Sequence, residues 1–176
     1  MNILYTISMR FLFSVITILV IGFSSSAQKT LEHTLKLLNS GSVPYIYVNE
    51  LQSEPGKIIL DTRKIEEYEV SHLKDAIWVG YKEFQEDSIT SKITDKNSPI
   101  VVYCSIGVRS EDIGEKLQKA GFTKVQNLYG GIFEWKNQGN TVYRNNVKTD
   151  SVHTFNKQWG KLLNSGIKVY DTENSH

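Results

Sequence analysis

The run Pro99-Ile100-Val101-Val102-Tyr103 is an apolar strand that ends at Cys104-Ser105-Ile106-Gly107-Val108-Arg109-Ser110 and passes into a helix. The same alternation recurs along the chain. A strand over Lys57–Leu60 ends at Asp61 ahead of a helix over Ile65–Val70, a strand follows at Ala76–Val79, and Val125–Leu128 precedes a Gly130-Gly131 turn and a helix around Trp135. Strands alternating with helices imply an α/β fold in three layers, with a mainly parallel central sheet covered by helices on both faces. Ligands of such sheets bind at the carboxyl ends of the strands. Cys104 stands at such an end. The remaining expected elements are an opening helix over Leu31–Leu38, a short strand at Tyr45–Val48, and a helix from Ser110 that buries Ile113, Leu117 and Ala120 and stops at Gly121.

Cys104 is the single cysteine of the chain, and its surroundings favour the thiolate. A helix starting near Ser110 directs unpaired N–H groups and partial positive charge back at the loop. Gly107 can take positive φ, which lets successive amides turn inward as an anion-binding nest. Arg109 adds a guanidinium. A free thiol with a pKa of about 8.5 is mostly protonated at neutral pH, whereas one among such donors is largely ionised. Glu111 and Asp112 temper this shift, because acids in the first helical turn compete for the same potential. Two plainer roles stand beside these: a small buried hydrophobe for Cys104, and a salt bridge with a nearby carboxylate for Arg109.

Three segments, in order and in register from Tyr45 to about Gln138, resemble the rhodanese family of sulfurtransferases. They are Asp61-Thr62-Arg63 with Glu67-Tyr68, His72-Leu73 and Ala76-Ile77; the cysteine loop, similar to the family's Cys-x-x-Gly-x-Arg-Ser; and Leu128-Tyr129-Gly130-Gly131-Ile132-Phe133-Glu134-Trp135. Ser71 and Asp75 stand where the family has glycines, which reads as local adjustment at two turns. The resemblance implies a rhodanese-like domain in which Cys104 takes a sulfane sulfur from a small sulfur-containing anion such as thiosulfate, or from a persulfide. It then passes that sulfur to a thiol or cyanide, with no cofactor. Ser105, Ile106, Gly107, Val108 and Ser110 would hold the outer sulfur through their amides, and Arg109 would favour an anionic donor. Ser110 could instead be a plain N-cap.

Asp61, Arg63, Glu67, His72, Gly130, Gly131 and Trp135 read as structural motif residues. Asp61 and Arg63 suit an ion pair, Arg63 and Glu67 fall four apart and close enough to pair, and His72 suits a bond to a backbone carbonyl. No histidine shares a ligand spacing with Cys104, so no metal is expected. Three other classes compete. Tyrosine phosphatases and arsenate reductases space cysteine and arginine by five residues, and the four between Cys104 and Arg109 make a smaller cradle suited to one sulfur atom. A disulfide oxidoreductase lacks its resolving cysteine. A non-catalytic binding or sulfur-carrier module stays open.

Arg10, the apolar run Phe11–Phe23 and Ser24-Ser25-Ser26-Ala27 have the layout of a secretory signal peptide. As a helix the run spans about 20 Å, short of the roughly 30 Å hydrocarbon core, so cleavage after Ala27 and a periplasmic or secreted protein are expected. Removing residues 1–27 leaves 19 basic against 19 acidic side chains. No electrostatic footprint for nucleic acid, or for a membrane after cleavage, remains. The expected organisation is residues 1–27 signal peptide, 28–43 helical extension, 44–139 rhodanese-like domain, and 140–176 a C-terminal extension. In that last segment Phe155, Trp159, Leu162 and Leu163 recur at helical spacing and suggest a helix packed on the domain. The sequence names no protein partner.

Overall fold

The computed structural model describes residues 30–170, and the expected signal peptide lies outside them. The body runs α1 (30–38), β1 (Tyr45–Ile46), α2 (Val48–Ser53), β2 (Ile58–Asp61), α3 (Ile65–Val70), β3 (Ile77–Trp78), α4 (Glu86–Lys92), β4 (Ile100–Tyr103), α5 (Val108–Lys119), β5 (Val125–Leu128) and α6 (Gly131–Asn137). One five-stranded sheet has the order β1-β5-β4-β2-β3, and every pairing in it is parallel. The central strand β4 is buried along its whole length. Its side chains alternate across the sheet, as the period of two requires. Val101 and Tyr103 join Leu31, Leu35, Ile132 and Phe133 on one face, while Ile100 and Val102 join Ile89, Ile113, Leu117 and Phe122 on the other. Two apolar layers therefore fix β4 from both sides and hold its carboxyl end still.

Several boundaries differ from expectation. The strand at Tyr45 stops at Ile46, because the amide of Tyr47 is capped by the Glu50 carboxylate at 2.8 Å and α2 begins there. The third strand is only Ile77–Trp78. α5 starts at Val108 and not at Ser110, with Gly107 as its N-cap at φ 108. Asp75 takes φ 58, the left-handed turn that Asp tolerates, whereas Ser71 is extended at φ −172 and has no need of a glycine.

The largest correction concerns the C-terminal extension. Residues 140–170 contain no amphipathic α-helix. They form a hairpin of β6 (Val142–Arg144) and β7 (Val147–Thr149), then β8 (Ser151–His153) paired in parallel with β9 (Ile167–Val169) around a single 3-10 turn at Trp159–Leu162. The helical spacing of Phe155, Trp159 and Leu162 fails physically because Phe155 sits at φ 63, which ends any right-handed turn at that point. The extension is still bound to the body. Val142, Val152 and Leu163 enter the apolar layer that holds Leu73 and Tyr103, and His72 and Tyr143 exchange backbone hydrogen bonds of 2.8 Å in both directions.

Candidate active site

Cys104 is the first residue beyond β4, where the chain turns over the sheet edge. Four hydrogen bonds to three carbonyls clamp that turn. Ile132 and Phe133, in the first turn of α6, donate their N–H groups to the carbonyls of Cys104 (3.0 Å) and Ser105 (3.1 Å). Such a close approach needs Gly131, since a Cβ there would lie 2.3 Å from the Cys104 carbonyl oxygen, and φ is 55. On the other side the Gly107 carbonyl accepts from Asn127 Nδ2 at 2.8 Å and from Asn39 Nδ2 at 2.9 Å. Asn127 was not singled out in the sequence. The signal was there in its polar amide at an inward position of an apolar strand, where a buried amide must find partners.

The sulfur receives the Gly107 N–H at 3.1 Å. Burial pushes the thiol up, but the Arg109 guanidinium, the backbone and hydroxyl of Ser110 and the Gly107 amide together outweigh it and hold Cys104 below the ordinary thiol value. Ser110 is buried, and its hydroxyl donates to Asn127 Oδ1 at 2.7 Å. Glu111 competes less than expected. Its carboxylate accepts the amides of Ser40, Gly41 and Ser42 at 2.7–3.0 Å, while Asp112 accepts the hydroxyl of Tyr81.

Of the two expected ion pairs, Asp61–Arg63 forms and Arg63–Glu67 does not. Arg63 pairs with Asp61, Nη2 to Oδ2 at 2.6 Å with both side chains fully buried, and not with Glu67. It lies in the loop before α3, so the helical four-residue spacing does not apply to it. Arg63 also donates to the Ser71 carbonyl at 2.6 Å, and Tyr103 donates its hydroxyl to Asp61, which ties β2 and β4 to the turn before β3. Glu67 instead takes Arg109 in a two-pronged pair, Nη1 to Oε2 at 2.7 Å and Nη2 to Oε1 at 2.9 Å. Ser105 Oγ bridges the two, donating to Glu67 at 3.0 Å and accepting from Arg109 at 2.9 Å. Burial raises Glu67, but Arg109 and then Arg63 overcome it and bring the carboxyl down to about 2. The guanidinium of Arg109 thus already has a buried carboxylate. His72 bonds the Leu73 carbonyl at 2.8 Å and stacks on Tyr68, and Trp135 donates its ring N–H to the Thr141 carbonyl at 2.9 Å.

Cys104 is 1% exposed, yet it is not sealed. A pocket of about 190 Å³ reaches it, lined on the loop side by Cys104, Ser105, Ile106, Val108 and Arg109 and closed by Leu38 of α1 with Phe155 and Trp159 of the extension. A thiolate at the floor of an apolar pocket, held by amides and a paired arginine, can attack a soft electrophile and can carry a second sulfur.

The pattern of the rhodanese-like domain matches residues 46–138. The chain belongs to the rhodanese-like family. Among curated rhodanese-like relatives, the tRNA uridine(34) hydroxylase of Hamiltonella defensa is 36% identical over 91 residues, which is 50% of this chain and 26% of that protein. The thiosulfate sulfurtransferase GlpE of Coxiella burnetii is 33% identical over 87 residues, 49% of this chain and 78% of that one. The solution structure of the rhodanese-like domain of the Anabaena Alr3790 protein is similar at a TM-score of 0.52 and 26% identity, covering 58% of this chain and 80% of that one. The family match runs from Ile46 through α6 and leaves out α1 and most of the extension. This chain spans about a quarter of the hydroxylase, and the two named relatives differ in activity, so the rhodanese-like domain alone does not choose a reaction.

Proposed function

We propose that this protein is a sulfurtransferase in which Cys104 accepts a sulfane sulfur and hands it, as a persulfide, to a thiol or cyanide. The observation that carries the reading is the Gly107 N–H donated to the sulfur at 3.1 Å on the floor of a pocket, with the thiol held below its ordinary pKa. The Cys104 thiolate attacks the outer sulfur of the donor, the sulfur–sulfur bond of the donor breaks, and its electron pair leaves with sulfite or a thiolate. The acceptor then attacks the outer sulfur of the Cys104 persulfide and regenerates the thiolate. The loop amides stabilise the anionic sulfur in both half-reactions. Similarity to a thiosulfate sulfurtransferase supports a sulfur-containing anion as the kind of donor. The layout of residues 1–27 supports action outside the cytoplasm, in the periplasm or after secretion.

Intact mass spectrometry after incubation with thiosulfate or a low-molecular-weight persulfide tests this. The expected result is a reducible gain of one sulfur on the wild type and none on Cys104→Ser. No gain with any sulfane donor sinks the reading in favour of a binding module.

A further inference from the structure

Phe155 and Trp159 belong to the extension, outside the region matched to the family, yet both face the Cys104 pocket. Phe155 does so at a backbone cost. It holds φ 63, a left-handed conformation rare for a bulky side chain and tolerated where the surroundings impose it. Those surroundings are specific. Its N–H donates to His153 Nδ1 at 3.1 Å, Thr154 N–H is tied to the Val169 carbonyl at 2.8 Å, and Asn156 Oδ1 accepts the Trp159 amide at 2.9 Å. Two cations then lie near the Phe155 ring, with Lys64 Nζ 5.2 Å and Arg109 Cζ 5.9 Å from its centroid.

We infer that Leu38, Phe155 and Trp159 form a subsite for the carrier group of the donor, and that it selects a sulfane sulfur borne on an apolar organic group over the thiosulfate dianion. The inference rests on Cys104 being the sulfur carrier. Two observations lead to it. The guanidinium that a dianion needs is paired on both its Nη atoms with Glu67. A doubly charged donor therefore meets the Cys104 thiolate without a free counter-charge from Arg109, and loses its water against apolar walls. The size also fits, since an apolar cavity of about 150 Å³ admits a benzene ring and this pocket is about 190 Å³.

With an aryl thiosulfonate, the Cys104 thiolate attacks the terminal sulfur and forms a new S–S bond. The bond from that sulfur to the sulfonyl sulfur breaks, and its electron pair leaves with the sulfinate. Total charge is unchanged and no oxidant or reductant is needed. Phe155, Trp159 and Leu38 touch only the carrier group, so they set specificity and not the chemistry.

The test is the rate of sulfur gain on Cys104 from benzenethiosulfonate, methanethiosulfonate and thiosulfate, each divided by its rate with free cysteine at the same thiolate concentration. The expected order is benzene, methane, thiosulfate, with the first exceeding the second by on the order of 30-fold. Phe155→Gly, which removes the ring and accepts the positive φ, brings that ratio close to one. Leu38→Ala, at an exposed helix position, lowers it in a background that folds even where Phe155→Gly does not. Equal normalised rates for the three donors overturn the selectivity and leave the sulfurtransferase reading standing. No sulfur gain from any of them overturns both.

Discussion

The carboxyl edge of the parallel sheet and the extension that walls it hold their side chains by different means. At the sheet edge the loop from Cys104 to Ser110 is fixed through the main chain, by amides of α6 on two carbonyls, by Asn127 and Asn39 on a third, and by a glycine whose hydrogen faces a backbone oxygen. In the extension, three-residue strands and one 3-10 turn present aromatic rings. Atoms added at the first place collide with backbone, whereas atoms removed at the second leave a wider pocket. Change is tolerated in the extension and not in the loop. Reactivity is built into the intolerant part, and selection is left to the part that can vary.

The hardest test of that contrast is Gly131→Ala. A methyl 2.3 Å from the Cys104 carbonyl oxygen at φ 55 combines left-handed strain with overpacking, for a loss of about 4 kcal/mol. Urea denaturation reads the stability and alkylation of Cys104 reads the loop. A loss below about 1 kcal/mol would mean that the clamp yields as easily as the extension does.

Next in size is Arg109→Gln, which leaves Glu67 buried beside the loop without its guanidinium. The expected cost is about 3 kcal/mol. Burial then acts on Cys104 against the remaining amides and the Ser110 hydroxyl alone, so the pH midpoint of iodoacetamide alkylation rises. An unmoved midpoint would assign the lowered thiol to Gly107 and Ser110 and take Arg109 out of the electrostatics.

A smaller effect is expected in acid. Glu67 falls from 4.5 to about 2 in the folded protein. Its contribution is therefore complete above the unfolded value and is lost as pH drops towards 2. Between pH 6 and pH 3.5 the wild type should lose about 1 kcal/mol that Glu67→Gln, already without the charge, does not lose. Parallel stability curves for the two proteins would show that the Arg109 pair does not couple to folding.

The same divide separates what was legible in the sequence from what was not. The helix Ile65–Val70 and the strand Val125–Leu128 match their expected bounds, because propensity and packing agree there. The cysteine loop was legible in the same way, down to the positive φ of Gly107. Pairing across the chain was not. Glu67 and Arg109 are 42 residues apart, and nothing local distinguishes that partnership from the nearer one with Arg63. The short helices Val48–Ser53 and Glu86–Lys92 have too few turns to display a period. In the extension, strands of three residues cannot show alternation, and the apolar spacing that imitates a helix divides instead between the pocket wall, at Phe155 and Trp159, and the core, at Leu162 and Leu163.

The finest distinction lies within that wall. Phe155→Gly and Phe155→Ala delete the same ring, which is 40% exposed, so both forfeit the same apolar contacts and both cation–π contacts. They differ in backbone alone. Glycine adopts φ 63 freely, whereas alanine retains the Cβ clash that makes left-handed geometry costly for L-residues. The glycine variant should be the more stable by about 1 kcal/mol, read as a difference in urea midpoints at equal slope, while both lose the preference for an aryl donor to the same extent. Should alanine prove equal to glycine in stability, the corner at Phe155 relaxes once the ring is gone, and the strain is imposed by the ring's contacts with Lys64 and Arg109. Should glycine be stabler but keep the aryl preference that alanine loses, the backbone and not the ring would be shaping the pocket, and the wall would be as intolerant of change as the cysteine loop.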